Sequence, residues 1–220
     1  IGAPAKVLVA KGDKVKTGQL IAESGGFVSA NIHSSVSGTV TKIDNYPDSS
    51  GYRRQAVEIK VEGDEWTDEI NRTDELLNDI KAGSEEIIQK ILAAGIVGLG
   101  GATFPSHVKL SIPQGKKAEY LVINAVECEP YLTSDHALMM AKGEEIMVGT
   151  RIMMKALKVD KAIIGIENNK PDAIQYMSEL AAGEEGISVQ GLKVKYPQGG
   201  EKQLIAALLG REVPSGGLPI

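Results

Sequence analysis

"GIVGLGGATFPSHVKL" (residues 95–110) decides how the larger part of this 220-residue chain is read. Gly98, Gly100 and Gly101 fall within four positions, and Phe104, Pro105 and Lys109 follow them. A stretch so poor in Cβ atoms lets main chain lie against a flat ring or a phosphate, with its N–H groups turned inward. Pro105 stiffens the exit, and Lys109 can add a charge-assisted contact to an anion. The dinucleotide fingerprint needs glycines at i, i+2 and i+5 between a strand and a helix. Thr103 stands at the third of these positions and the loop follows a helical pattern, so that fingerprint fails on spacing and on context. No Gly-Lys-Ser/Thr triplet is present, which excludes a Walker-type phosphate loop. A glycine-rich turn with nothing bound stays open on the residues alone.

Upstream of the loop, "SEEIIQKILAAG" (84–95) reads as a helix, with Ser84 as cap, Glu85 and Glu86 in the first turn, and Ile87, Ile88, Ile91 and Leu92 on one face. Downstream, "AEYLVINAVE" (118–127) and "DKAIIGIEN" (160–168) are continuous apolar runs, as buried parallel strands would be. Residues 134–159 are helical with a break near Gly143. "KPDAIQYMSELAAG" (170–183) is a helix with Pro171 near its first position, "ISVQGLKVK" (187–195) a strand, and "GGEKQLIAALLG" (199–210) a helix closed by Gly210. Met139, Met140, Met147, Met153 and Met154 sit at helical spacing and read as core filler. Strands alternating with helices imply an α/β layer with a mostly parallel sheet.

The first sixty residues have a different texture. Apolar positions in "VLVAKGDKVKTGQLIAESGGFVSANIHSSVSGTVTKI" (7–43) are punctuated by Gly12, Gly18, Gly25, Gly26 and Gly38, which leaves room for short strands only. This pattern resembles the barrel-sandwich hybrid of biotinyl and lipoyl carrier domains. Their central hairpin tip bears a lysine; the matching "ESGGFVSANI" (23–32) has none, so a structural or docking module is expected. His33 beside Ser34 and Ser35 lacks the partners of a triad. "NYPDSSGYRRQ" (45–55) reads as a loop before the strand "AVEIKVEG", and "TDELLNDIKAG" (73–83) as a helix capped by Thr73 and stopped by Gly83. The expected organisation is an all-β module over 1–65 and an α/β domain over 66–220.

Composition narrows the function classes. The formal net charge of −5, without any run of like charges, argues against a nucleic-acid surface. No apolar stretch approaches the length that crosses a bilayer, and the start has no signal-peptide pattern, so neither membrane insertion nor export is expected. Cys128 is the single cysteine, so the chain itself can hold no disulfide, iron–sulfur cluster or thiolate metal site. With no initiator methionine and an end at "VPSGGLPI", a piece of a longer chain is expected.

Three ordered motifs carry a specific resemblance: "GLGGATFPSHVKL" (98–110), "INAVECEPYLTSDH" (123–136) and "YPQGGEKQLIAALLGREVP" (196–214). They resemble the glycine-rich flavin loop, the NADE-type stretch and the Tyr-x-x-Gly-Glu-Glu-Thr segment of the NADH-oxidising, FMN-binding subunit family of respiratory complex I. Taken with the barrel-sandwich module, their order resembles the C subunits of Rnf electron-transport complexes. The resemblance implies a barrel-sandwich hybrid followed by a flavin-domain-like α/β layer cut short at its C-terminal end. It also implies an FMN site and an NADH site. Gly98, Gly100, Gly101 and Lys109 match the flavin loop, Asn124, Glu127 and Glu129 the strand end and its acids, and Tyr196, Gly199 and Glu201 the segment lining the nucleotide cleft. Departures from the complex I pattern are Val126 for an acid, Cys128 for a serine, Gly200 for a glutamate and Lys202 for a threonine. They make the cleft less negative. Acids flanking Cys128 favour an inert thiol over a redox one.

By the same resemblance, the full subunit would take hydride from NADH onto FMN and pass electrons to two [4Fe–4S] clusters in a ferredoxin module missing here. No side chain of this chain acts as acid or base, and no residue is assigned to a metal. The activity would be coupled to ferredoxin redox and ion translocation. The expected partners are the other Rnf-type subunits and, indirectly, ferredoxin, with a peripheral location on the cytoplasmic face of the membrane. The fragment alone would not carry electrons onward. A soluble cobalamin reductase subunit and a cofactor-free docking scaffold are the competing readings.

Overall fold

The computed structural model describes residues 2–99 and 102–217. The chain separates into two compact units, one of residues 1–75 and 88–109, the other of residues 76–87 and 110–220.

In the first unit, strands β1 (Lys6–Val7), β3 (Leu20–Glu23) and β4 (Ile32–His33) form one antiparallel sheet in the order β1-β3-β4. Strands β2 (Lys14–Val15), β5 (Gly38–Pro47) and β6 (Arg53–Val61) form a second, in the order β2-β5-β6. Val15, Ile21 and Val40 are buried between flanking Val9, Ile43, Val57 and Ile59. The small core follows from the alternation of apolar positions read along the strands. The segment 45–55 is less of a loop than its composition suggests. β5 and β6 pair as far as Pro47 with Arg53, and the turn shrinks to Asp48–Tyr52. Asp48 Oδ1 makes this possible by accepting the N–H groups of Ser50 and Tyr52, which replaces a longer loop by an Asx turn.

Helix α1 (Ser84–Ala93) has a cap other than the one expected. The carbonyl of Gly83 accepts the N–H of Ile87, while the Ser84 hydroxyl donates to the carbonyl of Ala156. The helix expected over 73–83 is absent. Thr73 donates its N–H and hydroxyl to Asn71 Oδ1 instead of opening a helix. Further on, Arg151 donates to Asn78 Oδ1 and Lys155 to the carbonyl of Ile80, so a tertiary partner satisfies a backbone carbonyl that a helix would have held internally. Leu77, which would have anchored an apolar stripe, stays exposed. The short helix α2 (Ser106–Leu110) ends the glycine-loop stretch.

The second unit is built on β7 (Leu121–Ala125), β8 (Ala162–Glu167) and β9 (Ile187–Leu192), parallel and in that order. They alternate with α3 (Ser134–Leu157), α4 (Pro171–Ala181) and α5 (Glu201–Leu209). Right-handed crossovers in the order 7-8-9 place α3 and α4 on one face. There Ile164 and Ile166 pack with Met139, Met147 and Met154, as the spacing predicts, and with Met177 of α4, whereas Met140 is exposed. On the other face Leu204 and Leu208 of α5 cover Val122, Val126, Leu192 and the bare Cα of Gly165. The break expected in α3 is real: Lys142 has φ −136° and ψ 32°, next to Gly143. Gly143 lets α4 approach, for a Cβ there would lie 2.6 Å from Tyr176 Cε1 and 2.8 Å from Leu180 Cδ1. Gly143→Val should therefore destabilise the chain by about 1–3 kcal/mol in urea unfolding; an unchanged midpoint would show that α4 can retreat freely.

Candidate functional site

The candidate residues fall in both units. In the first, the main chain leaves α1 at Gly95, whose φ of +66° and closeness to the carbonyl of Asn31 (2.2 Å from a built Cβ) both demand glycine. Asn31 holds this exit by donating to the carbonyl of Ala93 and accepting from the N–H of Ser24. The loop neck is then closed by a Val97–Pro105 bridge, by Gly98 N–H to the carbonyl of Phe104 (2.9 Å), and by Ser106 N–H to the carbonyl of Ile96 (3.0 Å). At its far side the buried His107 ring meets the carbonyl of Phe27 at 3.0 Å. The hairpin tip is thus hydrogen-bonded to the end of α1 through Asn31 and to His107 of α2 through the carbonyl of Phe27.

Gly98 differs from Gly95. Its φ is not positive, and the atom nearest to a built Cβ is the carbonyl oxygen of Phe104 at 3.8 Å. Among the described residues, neither backbone conformation nor packing calls for glycine there, and the room left by the missing side chain is open. Such an opening leaves space for a flat, phosphate-bearing group such as FMN to lie against the main chain at Gly98. Thr103, with φ +48°, carries strain in the same loop. Gly100 and Gly101 lie outside the described residues. Lys109 is carried on α2.

In the second unit the candidates gather at the carboxyl end of β7, where open α/β sheets receive ligands. Asn124 donates to the carbonyl of Gly199 (2.9 Å), and its Oδ1 accepts the N–H of Val126 (3.2 Å). Gly199 N–H donates to Cys128 Sγ at 3.3 Å. A Cβ on Gly199 would lie 2.8 Å from the carbonyl oxygen of Val126 and 3.0 Å from Cys128 Sγ. Gly199 therefore owes its glycine to this close approach, and Asn124 and Cys128 tie the 196–200 turn to the strand end. Tyr196, Glu129 and Glu201 are exposed around it.

Glu127 is buried, and its carboxylate is committed to the fold. Oε1 accepts the N–H of Asp135 (2.5 Å) and Oε2 that of His136 (3.2 Å), capping α3 at a helix end that favours negative charge. Lys170 Nζ lies 3.7 Å from Glu127 Oε2 and 3.4 Å from Glu167 Oε2. Glu167 is 0 % exposed, and its Oε1 accepts no hydrogen bond among the described residues. Two buried carboxylates thus share one ammonium. Sequence reasoning missed this cluster: a lysine before Pro171 looks like a solvated helix start, and no periodicity links Glu127 to the Glu167–Lys170 pair some forty residues on. Burial, and then the neighbouring Glu127 charge, push the Asp135 carboxyl above its ordinary value. On the far side of the same turn His136 pairs with Asp172 (2.9 Å), and that hydrogen bond holds the Asp172 carboxyl below its usual range.

The model of the Nuo51 FMN-binding domain matches residues 91–220, and that of the RnfC barrel-sandwich hybrid domain matches residues 1–64. Over its whole length the chain is 48% identical to the C subunit of the Na(+)-translocating ferredoxin:NAD(+) oxidoreductase complex of Acetobacterium woodii, and it covers 49% of that protein. It is 50% identical to the proton-translocating counterpart of Clostridium ljungdahlii, again over its full length and 47% of the relative. The C subunit of the ion-translocating oxidoreductase complex of Pseudomonas aeruginosa is 41% identical, with 28% of it covered. The chain thus spans about half the length of the first two relatives. Among solved structures, a chain of an air-oxidised NAD+-reducing [NiFe]-hydrogenase is similar over 58% of this chain and 24% of its own, at 26% identity and a TM-score of 0.51. No helix among the described residues is long and apolar enough to cross a membrane.

Two outcomes are expected from the buried charges. Lys170→Met leaves Glu127 and Glu167 facing each other without a counter-ion and should cost about 3–5 kcal/mol in chemical unfolding. Asp135 holds its proton to higher pH when folded than when unfolded, so its ionised form weakens the fold at neutral pH, and the penalty fades as pH falls through the folded value. Asp135→Asn should stabilise the protein at neutral pH and lose that advantage as the medium is acidified. A gain independent of pH would remove the electrostatic explanation.

Proposed function

Because the chain belongs to the family of the Nuo51 FMN-binding domain, we propose that it is the electron-entry part of an Rnf-type ion-translocating oxidoreductase, in which FMN takes hydride from NADH. The observation that carries this reading is the open room at Gly98 in a loop otherwise tightly closed at its neck. The names of the relatives, which are C subunits of ferredoxin:NAD(+) oxidoreductase complexes, support it, as does the fold shared with an NAD+-reducing hydrogenase chain.

In this proposal Gly98, Gly100 and Gly101 present bare main chain to the flavin, and Lys109 meets its phosphate. Glu129, Tyr196 and Glu201 receive the nucleotide. Asn124, Glu127 and Gly199 act one step back, by holding the strand end, α3 and the 196–200 turn in place. Bound FMN would supply hydride acceptance and one-electron release; the protein contributes placement and electrostatics. The two [4Fe–4S] clusters and the contacts to the membrane subunits belong to the part of the relatives' length that this chain does not span. Residues 1–65 serve as the docking and supporting module and 66–220 as the flavin domain, held peripherally at the cytoplasmic face of the membrane.

Titrating the purified protein with FMN should quench flavin fluorescence and raise Tm. Gly98→Val should abolish the quenching and leave the cofactor-free Tm within about 2 °C of the parent, since its side chain enters space that the described residues leave open. Retained FMN binding in this variant would overturn the loop assignment.

A further inference from the structure

Tyr131 stands where the local backbone favours a different residue. Leu132 N–H donates to the carbonyl of Glu129 (3.4 Å), closing a turn with Pro130 second and Tyr131, at φ +69°, third. Proline followed by a positive φ is the pattern of a type II turn, whose third position ordinarily takes glycine or asparagine. A bulky L-residue there is strained. The strain brings no burial in return: the side chain is 103 % exposed. The loop that bears it is closed at its base by Glu127, which bridges from the end of β7 to the Asp135 and His136 N–H groups.

This is also a chain with few aromatic residues, 4 % in all. Among the described residues, exposed aromatic rings of the first unit have partners. Phe27 meets His107, Tyr46 bonds Glu58, and Tyr52 lies under Arg54. Tyr131 and Tyr196 are exposed and, among the described residues, make no hydrogen bond, ring contact or cation contact. Both stand at the carboxyl end of β7, Tyr131 on the loop that leaves it and Tyr196 on the turn that Asn124 and Cys128 fasten to it. An unpartnered π-face, held out by a strained and tethered turn at the ligand-receiving end of a parallel sheet, is suited to stacking on a flat heteroaromatic ring.

We propose that Tyr131 is a stacking residue for a ring of the dinucleotide, either adenine or nicotinamide. The inference rests on the NADH reading above and adds a residue to it. The test compares wild type with Tyr131→Gly, Tyr131→Asn and Tyr131→Phe in the FMN-loaded protein, measuring NADH and ADP-ribose affinity by calorimetry together with Tm. Glycine and asparagine suit the turn but remove the ring, so they should weaken NADH binding about tenfold while raising Tm by about 2 °C. Phenylalanine should bind NADH within about twofold of wild type. A parallel loss for ADP-ribose identifies adenine as the stacked ring; a loss for NADH alone identifies nicotinamide. Unchanged NADH affinity in the glycine and asparagine variants overturns the proposal, as does a fall in Tm, which would make the tyrosine structural. A wild-type protein that binds FMN but no NADH fails the underlying reading instead, and is recognised before any variant is compared.

Discussion

The carboxylate of Glu127 is the constraint on which the second unit depends. It lies just past the end of β7, yet it satisfies two backbone N–H groups at the start of α3 and approaches the ammonium of Lys170 just before α4. A helix start that lacks a side-chain cap of its own thereby receives one from the preceding strand. With Glu167 on the same lysine, the ends of β7 and β8 and the first turns of α3 and α4 are coupled through buried charge. Such a cluster contributes little net stability against an apolar alternative, but losing one member leaves uncompensated charge. What it supplies is position.

The glycines divide by cause. Gly95, Gly143 and Gly199 are required by the protein itself, through a positive φ or through neighbours that a Cβ would strike. Among the described residues, Gly98 meets neither condition. The distinction matters because a glycine-rich motif does not reveal which of its members serve folding and which leave space. Here the protein's own needs account for Gly95 and Gly199, whereas no described atom comes closer than 3.8 Å to a Cβ built at Gly98.

The first unit shows a related economy. Its hairpin tip, residues 24–31, is tied through Asn31 to the end of α1 and through Phe27 to His107. A module resembling a cofactor-carrying domain is fixed in place by hydrogen bonds at the point where a carrier would have to swing.

Periodicity was sufficient for much of this architecture. The buried runs at 121–125 and 162–167, the helices opened by Pro171 and closed by Gly210, and the break beside Gly143 were legible because each is encoded in neighbouring residues. Legible too was the family, through its three ordered motifs. The segment 73–83 misled, since its helical pattern is local while its partners, Arg151 and Lys155, lie more than seventy residues further along the chain. The same physics hid the Glu127–Lys170–Glu167 cluster and the idle ring of Tyr131. Burial of charge and loss of contact are set by what packs nearby in space, and a linear pattern carries no record of that distance.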